Sequence, residues 1–192
     1  DKMNIKTNAV IINQCNYNGY LECYRNNRKI QMYSFKERGV GRSRNNALVK
    51  ATGDICVLAD DDVIYDENYE KVILEAFLEN PKADIIMFNV PSLNGSRSTV
   101  NIKKNERVRI INCLKYGAVN MVFKREPVLK SKINFSLLFG GGAQYSAGED
   151  SLFIFECLKK GLKVYSNKSK IANVLQENST WFSGYNEKYF ID

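Results

Sequence analysis

Three consecutive aspartates, Asp60, Asp61 and Asp62, directly follow an apolar segment at 55–59. Neighbouring carboxylates repel one another, so such a cluster costs stability unless a cation compensates the charge. Hard oxygen ligands of this kind suit Mg²⁺ or Mn²⁺, which proteins often hold together with substrate phosphates. An acidic surface turn explains the same residues equally well. The triplet alone therefore leaves metal binding and a solvated turn open.

A second acidic pair, Glu149 and Asp150, lies at the start of a predicted helix behind the glycine-rich segment 140–142. Acidic residues favour the first turn of a helix because they interact well with its dipole and free amides. That structural role is the simpler interpretation, and Ser146 with Glu149 has the form of a capping box. The functional alternative is a general base beside a flexible loop.

Two arginines, Arg42 and Arg44, fall in the first turn of another predicted helix. Positive charge is unfavourable at that position. A bound anion, held by arginine and helix amides together, would account for it. A solvated basic face is an equally good explanation from these residues alone.

The composition restricts the chemistry further. The 192 residues include no histidine, so a catalytic base must be a carboxylate, thiolate, amine or phenol. Histidine-ligated zinc and Ser-His-Asp hydrolysis are excluded within this chain. The net charge of +7 suits anionic partners, and it equally suits an ordinary basic surface. The five cysteines are widely spaced without a C-x-x-C pair, which predicts reduced thiols rather than a disulfide framework.

The pattern of apolar residues predicts the strands and helices that must position these groups. No apolar run reaches the roughly 18 residues that a membrane-spanning helix needs. Strands alternating with helices predict an α/β domain with a largely parallel sheet, in which ligands bind at the carboxyl ends of strands. The predicted strands are 10–12, 30–35, 55–59, 84–90, 108–111, 118–123 and 162–165, and the predicted helices are 42–51, one capped by Asp66, 126–130 and 149–160.

The ordered set of motifs resembles the family 2 glycosyltransferases of GT-A fold. The chain reads GVGRSRNNA at 39–47, ATGD at 51–54, DDD at 60–62, VFKRE at 122–126 and GEDSLF at 148–153. Order and spacing agree over about residues 10–165. The resemblance implies a single Rossmann-like GT-A domain over 1–192, with a mostly parallel sheet and flanking helices. Its nucleotide-sugar-binding half would be 1–90 and its acceptor-binding half 91–192.

The resemblance also implies roles on the donor side. Asp60 and Asp62 would form a DxD element, in which Asp62 holds Mn²⁺ or Mg²⁺ on the diphosphate and Asp60 contacts the ribose or shares the metal. Asp61 and Arg44 would lie near the nucleotide-sugar. Asn13 stands where the family usually has an aspartate that contacts the base, so it is a candidate nucleotide-sugar contact.

On the acceptor side, the resemblance makes Asp150 the base that takes a proton from the acceptor hydroxyl. Glu149 is the second choice for that role and a candidate acceptor contact. Trp181 is a further acceptor-binding candidate, because 176–181 loosely resembles a Q-x-x-R-W element, one residue longer and without the arginine. Lys124 and Arg125 are additional acceptor-side candidates.

The function implied is metal-dependent, inverting transfer from a nucleotide-sugar, most simply UDP-linked, to a hydroxyl of a glycan or lipid-linked acceptor. It would serve bacterial cell-surface polysaccharide synthesis on the cytoplasmic side of the membrane, without nucleic acid and with peripheral contact to anionic lipid; oligomer formation stays open. The resemblance further implies that the family's first strand and most of its first helix are missing, which would expose strand edges. Two rivals remain: a nucleotidyltransferase of sugar phosphates, and a non-catalytic nucleotide-sugar or glycan-binding remnant.

Overall fold

The N-terminal part of the chain forms a three-stranded sheet. A computed structural model describes residues 2–93 and 99–175. Its first sheet contains β1 (Ala9–Gln14), β2 (Gly19–Arg25) and β3 (Arg28–Phe35), in the order β1-β3-β2. The β2–β3 hairpin turns on Asn26 and Asn27, whose φ angles are 51° and 60°, as the tight two-residue turn between twisted strands requires. The sequence analysis did not predict β2.

A five-stranded sheet forms the centre of the molecule. Its strands are β4 (Ile55–Val57), β6 (Ile85–Asn89), β7 (Glu106–Arg107), β8 (Met121–Lys124) and β9 (Val164–Lys170), in the order β4-β8-β6-β9-β7. A separate antiparallel pair joins β5 (Val63–Tyr65) to β10 (Ala172–Val174).

Four α-helices accompany these strands in the described ranges. They are α1 (Val40–Lys50), α2 (Tyr69–Glu79), α3 (Arg125–Ser131) and α4 (Glu149–Lys159). Two 3₁₀ helices, Ile110–Lys115 and Ala118–Asn120, replace part of the strands predicted at 108–111 and 118–123. Asn112 and Asn120 explain the difference, because their side chains accept hydrogen bonds from the backbone N–H groups of Arg109 and Gly117 and so close each turn.

Strand direction differs from the predicted largely parallel pairing. Within the described residues, β1–β3 and β6–β9 are parallel, and the other five pairings are antiparallel. The cause is local: the tight hairpin brings β2 back antiparallel, and β8 inserts antiparallel between β4 and β6. The predicted alternation of strands and helices is confirmed.

Strand β6 is buried on both faces and divides the core in two. Ile85 and Met87 pack into one cluster with Leu48 of α1 and Phe153 of α4. The alternate residues Ile86 and Phe88 pack into a second cluster that includes apolar residues of α2, β5 and β10. Successive side chains of a strand point to opposite faces, so the continuously apolar sequence of β6 has a layer to fill on each side.

Strands β1 and β4 each pair on one side only within 2–93 and 99–175. Exposed strand edges were expected from the sequence; that the family's first strand is missing stays a prediction. None of the described helices is long and apolar enough to cross a membrane. All five cysteines are free thiols, and Cys113 and Cys157 are buried in the core.

Candidate active site

The amino-terminal half of α1 docks closely on the segment before α4. Gly41 lies so close to this segment that a Cβ atom there would be 2.1 Å from the carbonyl oxygen of Ser136. The Val40 N–H donates to the carbonyl of Gly141 at 2.8 Å. Asn45 fixes the same segment twice: its amide donates to the Phe135 carbonyl at 2.9 Å and accepts from the Phe135 N–H at 2.7 Å. These contacts orient the side chain of Arg44, the residue before Asn45, toward the start of α4.

Arg44 joins acidic groups that are far apart in sequence. Its Nη1 donates to Oε1 of Glu149 at 2.8 Å and to Oδ1 of Asp150, and its Nη2 lies 3.6 Å from Oδ1 of Asp60. The guanidinium also lies over the Phe135 ring, 5.4 Å from its centroid. Only 11% of the Arg44 side chain is exposed. One arginine therefore brings the end of β4 and the first turn of α4 into a single cluster, which we call the Arg44 cluster.

Asp150 is held at both carboxylate oxygens. Oδ1 accepts from Arg44, and Oδ2 accepts from the Ala118 N–H at 2.8 Å. That N–H belongs to the second 3₁₀ helix, which buried Asn120 fixes by accepting from the Gly117 N–H at 3.1 Å and donating to the Phe88 carbonyl at 2.9 Å. The Asp150 side chain is nevertheless 25% exposed. It is oriented and still accessible, as a group that takes a proton from a bound molecule must be.

Glu149 is the more enclosed of the two α4 acids, with 11% of its side chain exposed. It packs on Gly140, where a Cβ atom would be 2.6 Å from the Glu149 carboxyl carbon. The predicted capping box is wrong: the N-cap of α4 is Gly148, at a φ of 111°, and no side chain caps the helix. Glycine suits this left-handed position, and Glu149 is left to bind Arg44 instead.

Burial and mutual charge set the electrostatics of the cluster. Burial and the Asp150 charge raise the pKa of Glu149, against the opposing effect of Arg44. The pKa of Asp60 is also raised, by its desolvated surroundings and by Asp150 and Asp62, again against Arg44; 47% of its side chain remains exposed. Burial opposes the charge on Arg44, but Asp150, Asp60 and Glu149 outweigh it and raise the pKa of the guanidinium. Three acids around one arginine leave net negative charge at this end of the sheet.

The aspartate triplet fits a cation that shares its ligands with a substrate. Asp60 is bound to Arg44, Asp61 is exposed and Asp62 is half-buried. No group of three or more ligating side chains is assembled in the part of the chain that the structure describes. Mg²⁺ commonly binds through one or two carboxylates plus substrate phosphates. Asp60 and Asp62 therefore fit such a site only together with phosphate oxygens.

The structure brings together four of the predicted site residues, namely Arg44, Asp60, Glu149 and Asp150. Asn13 hydrogen-bonds to Ser34 at 3.1 Å within the N-terminal sheet. Lys124 pairs with Ile55, at the opposite end of β4 from Asp60, and the acceptor-side role of Lys124 and Arg125 stays a prediction. Trp181 lies outside the described residues.

Sequence reasoning missed the residues that support the cluster. These are Asn45, Phe135, Asn120, Gly140 and the backbone N–H of Ala118. Asn45 stands beside Arg44 in the motif at 39–47, and Gly140 belongs to the glycine-rich segment, so both carried a local signal. Phe135 and Asn120 carried none, since their roles depend on contacts across more than 30 residues.

The family model for glycosyl transferase family 2 matches residues 11–146. The chain belongs to this family. A search of the curated proteins finds no match. The match includes Arg44 and the aspartate triplet and ends just before Glu149 and Asp150, which the Arg44 cluster joins to the matched region.

Solved structures of S. aureus TarS share the fold. The structure of its residues 1–349 with UDP-GlcNAc has a TM-score of 0.69 and 18% identity, covering 87% of this chain and 49% of that chain. The UDP complex has a TM-score of 0.65 and 18% identity, covering 79% and 45%. The chain thus spans about half the length of these relatives. The predicted GT-A fold is confirmed.

Proposed function

We propose that this chain carries the transfer site of an inverting glycosyltransferase that uses a nucleotide-sugar. The observation that carries the proposal is the Arg44 cluster. It joins the aspartate turn after β4 to Asp150 at the start of α4, so that the predicted donor side and the predicted acceptor side meet at one arginine.

Asp150 is our choice for the general base. An acceptor hydroxyl would give its proton to the Asp150 carboxylate while its oxygen bonds to the anomeric carbon of the donor. The bond from that carbon to the diphosphate breaks on the opposite face, which inverts the configuration and releases the nucleoside diphosphate. Hydrogen bonds from Arg44 and Ala118 hold the carboxylate in a fixed orientation, which supports this role.

Glu149 and Arg44 are better suited to positioning. Glu149 is enclosed by Gly140 and bound to Arg44, so an acceptor reaches it less readily than Asp150. Arg44 keeps both acids in place through Nη1, and its Nη2 faces Asp60 on the donor side.

The donor we propose is a UDP-sugar bound with Mn²⁺ or Mg²⁺. Asp62 and Asp60 would hold the ion, and Asp61 and Asn13 would contribute to nucleotide-sugar binding. A bound divalent cation would offset the charge that develops on the departing diphosphate. Because the S. aureus TarS structures contain UDP-GlcNAc and UDP, UDP-GlcNAc is the first donor to test.

The acceptor we propose is a hydroxyl of a glycan or lipid-linked sugar, within bacterial surface polysaccharide synthesis at the cytoplasmic face of the membrane. Free thiols at all five cysteines fit a reducing compartment. Trp181 remains a proposed acceptor contact.

The proposal is tested by measuring products and donor binding in parallel. Asp150→Asn should bind UDP-GlcNAc with Mn²⁺ as the unchanged chain does and lose transfer by about 10²-fold or more, the usual contribution of a general base. Exposed Asp54 supplies the matched control Asp54→Asn, which should transfer normally. Release of UDP from UDP-GlcNAc supports glycosyl transfer, and release of pyrophosphate from UTP and a sugar 1-phosphate supports a nucleotidyltransferase. Binding without turnover in the unchanged chain would favour a non-catalytic remnant.

Metal dependence needs a separate variant. Asp62→Ala should abolish the Mn²⁺-dependent part of UDP binding in calorimetric titration, whereas Asp54→Ala should leave it intact. Unchanged affinity in Asp62→Ala would reject Asp62 as a metal ligand.

A further inference from the structure

The first 3₁₀ helix, Ile110–Lys115, has two distinct faces. Cys113 and the following Tyr116 are buried in the core, with 0% and 2% exposure. Another face carries Ile111 and Leu114, one turn apart and 91% and 66% exposed, and Ile110, one turn before Cys113, is itself 48% exposed. Single exposed apolar residues are normal on protein surfaces, but three on one short helix form a contiguous apolar ridge.

Basic residues flank this apolar ridge. Arg107 and Arg109 line an open depression of about 330 Å³ together with Ile110 and Ile111. Exposed Lys115 ends the helix, its Nζ lying over the Tyr116 ring. Segment 103–115 as a whole carries five basic residues and one acidic residue. The combination of protruding aliphatic side chains with surrounding positive charge matches the chemistry of an anionic lipid surface.

We infer that the apolar ridge and its flanking residues Arg107, Arg109 and Lys115 form a docking surface for an anionic bilayer. A lasting protein–protein interface buries about 800 Å² on each partner, more than one six-residue 3₁₀ helix offers. A bilayer needs only shallow insertion of a few apolar side chains plus electrostatic attraction. Charge complementarity therefore favours lipid as the occupant.

The docking surface adjoins the Arg44 cluster. The Ser151 hydroxyl donates to the Leu114 carbonyl at 3.4 Å, and Asp150 accepts from Ala118, three residues beyond the helix. A membrane held against the ridge would bring hydroxyl groups at its surface near Asp150. Lipid binding itself requires no catalysis, so this inference stands or falls separately from the proposed function.

Sedimentation of the full chain with sucrose-loaded vesicles tests the inference. The chain should bind vesicles of phosphatidylglycerol and phosphatidylcholine, bind pure phosphatidylcholine much more weakly, and dissociate in 0.5 M salt as screening predicts (a concentration of about three times the physiological ionic strength). The double variant Ile111→Ser/Leu114→Ser should lower the partition coefficient by at least about tenfold, through lost apolar burial. Arg109→Glu should lower it by about fivefold or more, the effect of one basic residue near such a surface.

Matched controls use equally exposed residues elsewhere. Leu78, 78% exposed on α2, gives Leu78→Ser, and exposed Lys82, which follows α2, gives Lys82→Glu; neither should change vesicle binding. Thermal unfolding should be unchanged in every variant, because all the altered side chains are exposed. The inference is overturned if the unchanged chain ignores anionic vesicles, or if the double variant binds them as well as Leu78→Ser does. It is also overturned if sedimentation equilibrium shows that the ridge mediates self-association while vesicle binding survives its removal.

Discussion

Arg44 illustrates how a single side chain can connect distant motifs. It is enclosed, bound to two acids of α4 and close to Asp60. A bound anion was one of two explanations that the sequence analysis left open for arginine at this position, and in the structure the protein's own carboxylates supply the negative charge. A planar guanidinium suits this task because it presents several donors in fixed directions, which an ammonium group does not.

Arg44→Lys should therefore be costly although it keeps the charge. A lysine ammonium cannot reproduce all the contacts of the planar guanidinium, and losing one hydrogen bond to a charged group costs about 1.5–3 kcal/mol. We expect a loss of that order in the free energy of unfolding, measured by urea denaturation, together with loss of transfer. The exposed neighbour in the same helix provides the control Arg42→Lys, which should behave like the unchanged chain. Equal stability of the two variants would show that the fork geometry is unimportant.

Glu149 provides a pH test with a definite sign. Burial raises its pKa above the ordinary value of 4.5, so the folded protein retains this proton at a pH where the unfolded chain has lost it. The stability that Glu149 contributes is therefore fully present below pH 4.5 and falls as the pH rises through the pKa of the folded state. The stability of Glu149→Gln relative to the unchanged chain should increase over that interval and then level off.

Exposed Glu126 is a control for which the stability should depend on pH with the opposite sign. Lys130 lowers its pKa, so its small contribution is present above 4.5 and is lost as the pH falls through the lowered value. At neutral pH, Glu126→Gln should therefore be slightly less stable than the unchanged chain. Denaturation of both variants at several pH values distinguishes the two cases, and a pH-independent difference for Glu149→Gln would contradict the raised pKa.

Helix α1 contains Gly41 where it packs closely against another segment, although glycine is a poor helix former. Alanine normally stabilises a helix relative to glycine by up to about 1 kcal/mol. At Gly41, however, a Cβ atom would meet the Ser136 carbonyl at 2.1 Å, so α1 would have to move away from the segment that Asn45 and Arg44 contact.

Gly41→Ala should consequently destabilise the protein by about 1–3 kcal/mol, as overpacking does, and reduce transfer by displacing Arg44. Val49→Ala, at a position 65% exposed on the same helix, should change neither property appreciably. Thermal unfolding and the transfer assay provide the measurements. A stabilised Gly41→Ala protein would mean that the helix docks more loosely than described.

Local patterns predicted the elements whose stability is local. The apolar run of β6 and the helical spacing of α2 were sufficient, since each pattern reports directly which side is buried. The β2–β3 hairpin and the 3₁₀ helices were not predicted, because asparagines determine them. Asn26 and Asn27 adopt left-handed backbone conformations in the hairpin turn. The side chains of Asn112 and Asn120 accept the hydrogen bonds that close the two 3₁₀ helices. For the site, the motifs indicated the acids and Arg44, whereas Phe135 beneath Arg44 depends on a contact that no spacing reveals.

The molecule as a whole does not separate at residue 90. Both core clusters contain residues from each side of that position: Ile85 and Ile154 belong to one cluster, and Ile86 and Val122 to the other. The Arg44 cluster joins the same two parts at the candidate site. We therefore propose that the nucleotide-sugar half, 1–90, and the acceptor half, 91–192, are one folding unit.

Core substitutions on either side of residue 90 test this unity. Ile85 in β6 and Ile154 in α4 are both fully buried, so Ile85→Ala and Ile154→Ala should each cost about 3 kcal/mol through lost burial and cavity formation. If the halves fold together, each variant shifts one common transition, seen alike by far-ultraviolet and near-ultraviolet circular dichroism. Val49→Ala, exposed on α1, should leave the midpoint in place. Two resolved transitions, each moved by only one of the core variants, would mean that the halves fold separately and that Arg44 joins two independently stable units.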